Sequence, residues 1–300
     1  MQQQFNQKNE QIKIFVGGKL YPRNEAKVSV FDSSVQGGDA VWEGLRIYDG
    51  KIFCFNEHVE RLQASAKTLA FVDIPTNAYI KDAVAQTLKA NGMHTDTHIR
   101  LTLTRGEKIT SGMDPRLNQK GSCLIVLAEF KPPVYDNAKG IKLITSHIRR
   151  NSPMHLDSKI HHNNLINNIL AKIEANYCNA DDAIMLDNLG FVAETNACNI
   201  FMVKKKILFT PNADACLPGI TRSTVISLAR ELNITVIERN ISIAEFYNAD
   251  EVFTTGTMGE LTPVNEIDGR LIENKNGSDV RMTIYKVFRE LTEKNGEKIN

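Results

Sequence analysis

Two segments of this sequence are suited to chemistry: Glu194-Thr-Asn-Ala-Cys-Asn199-Ile-Phe201 and Leu217-Pro-Gly-Ile-Thr-Arg222. The first sets a carboxylate on a strand, and the second is a Gly-containing loop opening a helix. A carboxylate favours the protonated form of a nearby ring nitrogen, and free amides at the positive end of a helix dipole bind phosphate. Together they suit a cofactor with a cationic ring and an anionic phosphate. Each alone has a plainer reading: a strand glutamate at a hairpin, and an ordinary helix start. Lys159, in Leu156-Asp-Ser-Lys-Ile-His-His-Asn163, is the one lysine between Lys142 and Lys172. By position alone it is a solvated lysine near a helix N-terminus.

Other polar residues need the same two-sided reading. Arg61, in His58-Val-Glu-Arg-Leu62, projects off the apolar stripe of its helix and also fits a solvated face. Strand alternation puts Arg100 with Thr102 and Thr104, opposite Ile99, Leu101 and Leu103. Arg46 alternates against Leu45 and Ile47 after Trp42-Glu-Gly44, and either arginine suits a carboxylate ligand or a structural ion pair. Phe31, Trp42 and Met258 are candidate walls of an apolar pocket, or core. The adjacent His161-His162 point about 100° apart on a helix, so they do not make the i, i+4 pair of a zinc site. They read as helix-start histidines near a cofactor entrance. Cys198 lacks a triad partner, and Lys204-Lys-Lys206 is a solvated turn.

The positioning elements are strands followed by helices in the first half. Ile12–Tyr21 turns at Gly17-Gly18, and Gly44–Phe55 folds back at Asp49-Gly50, a hairpin signal. Asn56 is the expected N-cap of a helix bearing Val59, Leu62, Ala66 and Leu69; a second helix runs from about Thr76 to Asn91 before Gly92. Strands are expected at His98–Thr104 and Cys123–Phe130. Lys131–Lys139, with two prolines, reads as a linker, which gives domains at 1–130 and 140–300. Beyond it come a strand at Ile141–Ser146, the irregular Arg149–Asp157, and a helix that should bury Leu165, Ile166, Ile169, Leu170 and Ile173. Hairpins around Asn188–Gly190 and the three lysines, helices at about Thr221–Leu232 and Ser278–Lys294, and a strand at Glu251–Thr255 complete an α+β pattern.

Composition narrows the function. A hydrophobic content of 42% with 24% charged residues is that of a soluble globular chain, and a net charge of +1 leaves no footprint for nucleic acid. No apolar run reaches membrane-spanning length, and the polar start reads as no signal peptide. Cys54, Cys123, Cys178, Cys198 and Cys216 are odd in number and form no CxxC pair, which favours reduced thiols in a cytoplasmic protein without a metal site.

With Lys159 upstream and Thr254-Thr-Gly-Thr257 downstream, the pattern closely resembles class IV aminotransferases, fold-type IV pyridoxal 5′-phosphate (PLP) enzymes, and most of all the branched-chain amino acid aminotransferases. The resemblance runs from Ile14 to about Arg270. It implies a smaller N-terminal α/β domain, a larger β-rich C-terminal domain with helices, and a homodimer. It makes Lys159 the catalytic residue that carries PLP and moves the proton at the substrate Cα. Glu194 becomes the partner of the pyridine nitrogen, with Arg61, Asn199, Leu217, Gly219, Ile220, Thr221 and Thr257 also on the cofactor. Arg100, Arg46, Trp42 and Met258 fall to the substrate. The implied reaction is ping-pong transfer from a branched-chain or other hydrophobic L-amino acid to a 2-oxo acid such as 2-oxoglutarate. Alternatives are a D-amino acid aminotransferase, a 4-amino-4-deoxychorismate lyase and a non-catalytic binding protein. Three positions depart from the pattern: Asn164 replaces a tyrosine, Asn196 a small residue and Gln36 an aromatic one. Asn164 or a nearby amide is expected to stand in for the missing phenol.

Overall fold

A computed structural model describes residues 4–299. The chain forms two compact units. One runs to Pro132 and takes in residues 160–164 and the stretch from Thr292 on; the other comprises Pro133–Lys159 and Leu165–Leu291. Residues 160–164 and the last stretch thus lie outside the second unit, although the sequence places them in a 140–300 domain.

In the first unit, β1 (Lys13–Val16) and β2 (Lys19–Pro22) form a hairpin, followed by the short helix α1 (Ser33–Gly37). Then come β3 (Ala40–Tyr48), β4 (Lys51–Ile52), α2 (Phe55–Thr68), α3 (Asn77–Asn91), β5 (Thr97–Thr104) and β6 (Cys123–Phe130). With the late strand Glu297–Lys298 they make a seven-stranded sheet ordered Glu297–Lys298, β4, β3, β5, β6, β1, β2. Period-two alternation buries Ile99, Leu101 and Leu103 of β5 with Val41, Leu45 and Ile47 of β3 beneath α2 and α3. Thr76 caps α3 through its hydroxyl and Gly92 closes it in the left-handed conformation, as the sequence leads one to expect. Asn56 does not cap α2. The helix starts one residue earlier, behind Cys54 at φ 50, because the tight β3–β4 hairpin delivers the chain to the helix at that angle.

The second unit carries β7 (Ile141–Thr145), α4 (Ile166–Tyr177), β8 (Asp182–Leu186), β9 (Val192–Thr195), β10 (Asn199–Lys204) and β11 (Ile207–Thr210). It continues with α5 (Ile220–Glu231), β12 (Val236–Glu238), α6 (Ile243–Tyr247), β13 (Glu251–Gly256), β14 (Glu260–Ile267), β15 (Arg270–Leu271) and α7 (Val280–Lys294). Its nine-stranded sheet runs β12, β11, β10, β13, β14, β7, β8, β9, with β15 on β14. Phe201 of β10 stacks on its register partner Phe253 of β13 at 5.2 Å between ring centroids. That register sets Asn199 opposite Thr255 at the strand ends.

From Pro133 on, the expected linker is tied down within this unit. Val134 N–H donates to the Met258 carbonyl (3.1 Å), and the Tyr135 hydroxyl donates to Asp182 Oδ2 (2.6 Å). Helix α4 corrects another expectation. Ile166 is 61% exposed and Ile169, Leu170 and Ile173 are 42–48% exposed, while small Ala171 and Ala175 pack on Ala183 and Met185. Among the described residues no helix is long and apolar enough to cross a membrane.

Candidate functional site

Glu194 sits on β9, where the β8–β9 hairpin pairs it with Met185 inside the second unit. It is buried, and burial raises its carboxyl above the ordinary value. Arg150, the backbone at Leu217 and the charge of Arg222 oppose that rise. Arg150, from the irregular stretch after β7, donates Nε to Glu194 Oε1 (2.7 Å). Asn199 donates Nδ2 to Oε2 (3.1 Å). Arg150 is itself held from α4, its Nη1 donating to Asn167 Oδ1 (3.2 Å). The sequence reading missed Arg150, since an aperiodic stretch gives no signal of which arginine turns inward.

The loop Leu217-Pro-Gly-Ile-Thr221 opens α5 behind Gly219, an N-cap without a side chain to occupy the first-turn amides. Thr221 and Arg222 are buried in that first turn, and Arg222 is turned to Glu238 (2.8 Å) and the Pro211 carbonyl (2.9 Å). Thr257 and Met258 lie half-buried in the turn after β13. Lys159 keeps 44% of its side chain exposed; its Nζ donates to the Asp214 carbonyl at 3.3 Å and lies 4.0 Å from Asp157 Oδ1. The second unit therefore brings together a buried carboxylate, an uncapped helix start and an accessible amine. That donor set fits a group with a cationic ring nitrogen, an anionic phosphate and a carbonyl that reacts with an amine. Among the described residues no group of His, Cys, Asp and Glu could hold a metal ion.

The other predicted residues belong to the first unit. Arg61 is not on a solvated face: it donates Nε and Nη2 to Glu43 Oε1 and Oε2 (2.7 and 2.8 Å). His58 Nδ1 (2.7 Å) and His161 Nδ1 (3.0 Å) complete the ring around Glu43, which is fully buried. Burial alone would raise Glu43, but His161, Arg61 and His58 together hold it well below the carboxylate range. Glu43 carried a legible signal, because alternation along β3 puts it on the apolar face with Val41, Leu45 and Ile47, where a lone carboxylate is costly. His161 and His162 do not start a helix; they lie in an extended segment against β3, with the Trp42 amide donating to the His161 carbonyl (2.9 Å).

Arg100 stacks 3.9 Å from the Trp42 ring and donates Nη2 to Asn163 Oδ1 (2.6 Å). Arg46, buried, donates Nη1 to the Lys131 carbonyl (3.3 Å) and leaves Nε without a partner among the described residues. Neither makes an ion pair with a described carboxylate, which removes the structural alternative the sequence allowed. His98, opposite Arg46 in the register, is pushed from the usual 6.5 to about 3 by burial, then by Lys131, Arg100 and Arg46. Gly44 makes room for it, since a Cβ there would press to 3.3 Å from His98 Nε2. Phe31 is 42% exposed. Of the departures, Asn196 is structural: it pairs with Ala183 through main chain and side chain (2.9 and 2.7 Å) and donates to Asp182 Oδ1 (3.2 Å). Gln36 is exposed and donates to the Val30 carbonyl, and Asn164 is exposed against Gly38. Burial raises the thiol of Cys198 far above its ordinary value, which disfavours the thiolate a nucleophile needs.

Residues 40–267 match the family described as amino-transferase class IV. The chain is 60% identical to branched-chain-amino-acid aminotransferase-like protein 2 of Arabidopsis thaliana over 96% of its own length and 52% of that protein, so it spans about half of that relative. It is 41% identical to a putative branched-chain-amino-acid aminotransferase of Methanocaldococcus jannaschii, over 96% of this chain and 99% of that one. Among solved structures, the Escherichia coli branched-chain amino acid aminotransferase superposes with a TM-score of 0.87 at 30% identity, covering 97% of this chain and 99% of that one. A second solved branched-chain amino acid aminotransferase, complexed with N-(5′-phosphopyridoxyl)-L-glutamate, superposes with a TM-score of 0.86 at 31% identity, covering 94% of each chain. By sequence match, fold and the arrangement around Glu194, the chain belongs to the class IV aminotransferase family.

Proposed function

We propose that this protein is a PLP-dependent aminotransferase that moves the amino group of a branched-chain or other hydrophobic L-amino acid to a 2-oxo acid such as 2-oxoglutarate. The observation that carries this reading is the Arg150–Glu194–Asn199–Leu217 network, a buried carboxylate bonded to the loop that opens α5. Bound PLP would supply an electron sink for the charge that develops at the substrate Cα. Glu194, ionised, would accept a hydrogen bond from the protonated ring nitrogen and favour that cationic form, with Arg150 favouring the ionised carboxylate. The Gly219–Thr221 amides and the Thr257 hydroxyl would hold the phosphate. Lys159 Nζ would hold the cofactor until the substrate amine displaces it, then take the proton from Cα. Arg100 and Arg46 are the candidates for the substrate's carboxylates, and Trp42 for its apolar side chain. The phosphopyridoxyl-glutamate bound in the second solved structure supports the same pairing of cofactor and amino acid here.

The exposed stripe Ile166, Ile169, Leu170 and Ile173 supports a homodimer that covers α4. Five cysteines outside any disulfide suit a reducing, cytoplasmic setting. An amino-donor panel tests the activity: L- and D-forms of leucine, valine, glutamate and alanine against 2-oxoglutarate and pyruvate. Turnover of L-leucine or L-valine with 2-oxoglutarate is expected. Turnover confined to D-forms, or pyruvate released without an acceptor, would overturn the proposal.

A further inference from the structure

We infer that Asn199 is a positioning residue that locks the ring-nitrogen carboxylate and the phosphate loop into one frame, so that the two ends of the cofactor bind as a single event. The inference rests on the PLP reading above and concerns how this chain achieves affinity. Asn199 is the first residue of β10 and is buried. An amide NH₂ has two hydrogens, and both are committed within the protein. One goes to Glu194 Oε2 (3.1 Å), the other to the Leu217 carbonyl (2.9 Å). From β10, Asn199 thus bridges Glu194 of β9 and Leu217 of the loop opening α5.

The side-chain oxygen completes the frame. A Cβ at Gly219 would collide with Asn199 Oδ1, so the glycine that caps α5 is pressed directly against the amide. Asn199 therefore reaches both halves of the site: the carboxylate for the ring and the first residue of the phosphate cradle. It has no donor left for a ligand, so it acts through Glu194 and the loop. Two sites held in fixed register bind a two-ended ligand with a shared orientational cost, whereas two loosely connected sites meet that cost separately.

This gives a signature that simple loss of structure would not produce. In calorimetric titrations of the full chain freed of cofactor, Asn199→Ala should weaken PLP binding about tenfold, the scale of an ordinary coupling between sites. Pyridoxal, which lacks the phosphate, and inorganic phosphate alone should bind the variant as they bind the wild type. Asn199→Leu keeps the branched shape of the side chain without its polar atoms and should give the same split, which secures the test if the alanine variant folds poorly. An unchanged PLP affinity, or parallel losses for all three ligands, would overturn the inference. Absence of PLP binding by the wild-type chain would instead overturn the functional reading beneath it.

Discussion

Replacing Arg150 by methionine isolates the electrostatics of the candidate site. The methionine keeps much of the apolar stem and removes the cation bonded to Glu194. Arg150 Nε and Glu194 Oε1 are 2.7 Å apart, and each side chain is 7% exposed, so solvent screens the pair weakly. At an effective dielectric of about 20, unit charges about 4 Å apart attract by about 4 kcal/mol. Removing one partner of a buried pair costs about 3–5 kcal/mol, because the remaining charge stays desolvated. Glu194 can escape part of that cost by taking up a proton. Burial already raises its carboxyl above the ordinary value, and loss of Arg150 raises it further.

The sign of the pH dependence follows. In the variant the folded state holds the Glu194 proton to higher pH than the unfolded chain does. Its contribution is therefore intact in acid and is lost as pH rises through the folded value. The stability gap between wild type and Arg150→Met should be small near pH 4.5 and widen to about 3 kcal/mol or more at neutral pH. Urea unfolding of the cofactor-free proteins at a series of pH values measures it. Adding Glu194→Gln to the variant should restore most of the loss, since no charge is then stranded. A gap that does not change with pH, or a double variant no more stable than the single one, would refute the reasoning.

The remaining predictions address the first unit and the surface. His98, lowered to about 3 against a usual 6.5, takes no proton in the folded state across pH 6 to 5, whereas the unfolded chain does. Folding stability attributable to it falls by up to about 1.4 kcal/mol per unit as pH drops through that window. The stability curve of His98→Gln should be flatter there by that amount, and parallel curves would exclude the assignment. Joint substitution Ile169→Glu and Ile173→Glu should shift sedimentation from dimer to monomer, and unchanged sedimentation would remove α4 from the interface.

What the sequence revealed depended on whether local pattern or distant partners decide a feature. Alternation placed β5 and β6, and Thr76 with Gly92 bounded α3, because each signal is local. Asn56 looked like a cap, but the hairpin before α2 sets the entry angle at Cys54. The apolar stripe of α4 was legible as a stripe. Its periodicity did not reveal that Ala171 and Ala175, not the isoleucines, face the sheet. In the candidate site, Glu194 stood out because strand and loop-helix signals lie close together around it, whereas Lys159 was singled out by the family resemblance. Arg150 did not stand out, because only the fold brings residue 150 to residue 194.

Two of the buried glutamates of this chain, Glu43 and Glu194, show how to tell a finished charge from an unfinished one. Burial raises the cost of ionising both. Around Glu43 the opposition wins: a two-pronged guanidinium and two imidazole nitrogens, all within 3.0 Å, leave it well below the ordinary range. Its partners lie within the first unit, and it needs no other. Around Glu194 the opposition loses. Arg150, the backbone at Leu217 and the charge of Arg222 do not offset its burial, and its carboxyl stays raised. A carboxylate left short of positive charge stabilises an incoming cation more strongly than one already satisfied. The deficit at Glu194, where the chain also supplies an anion cradle and an amine, is the electrostatic counterpart of a protonated ring nitrogen.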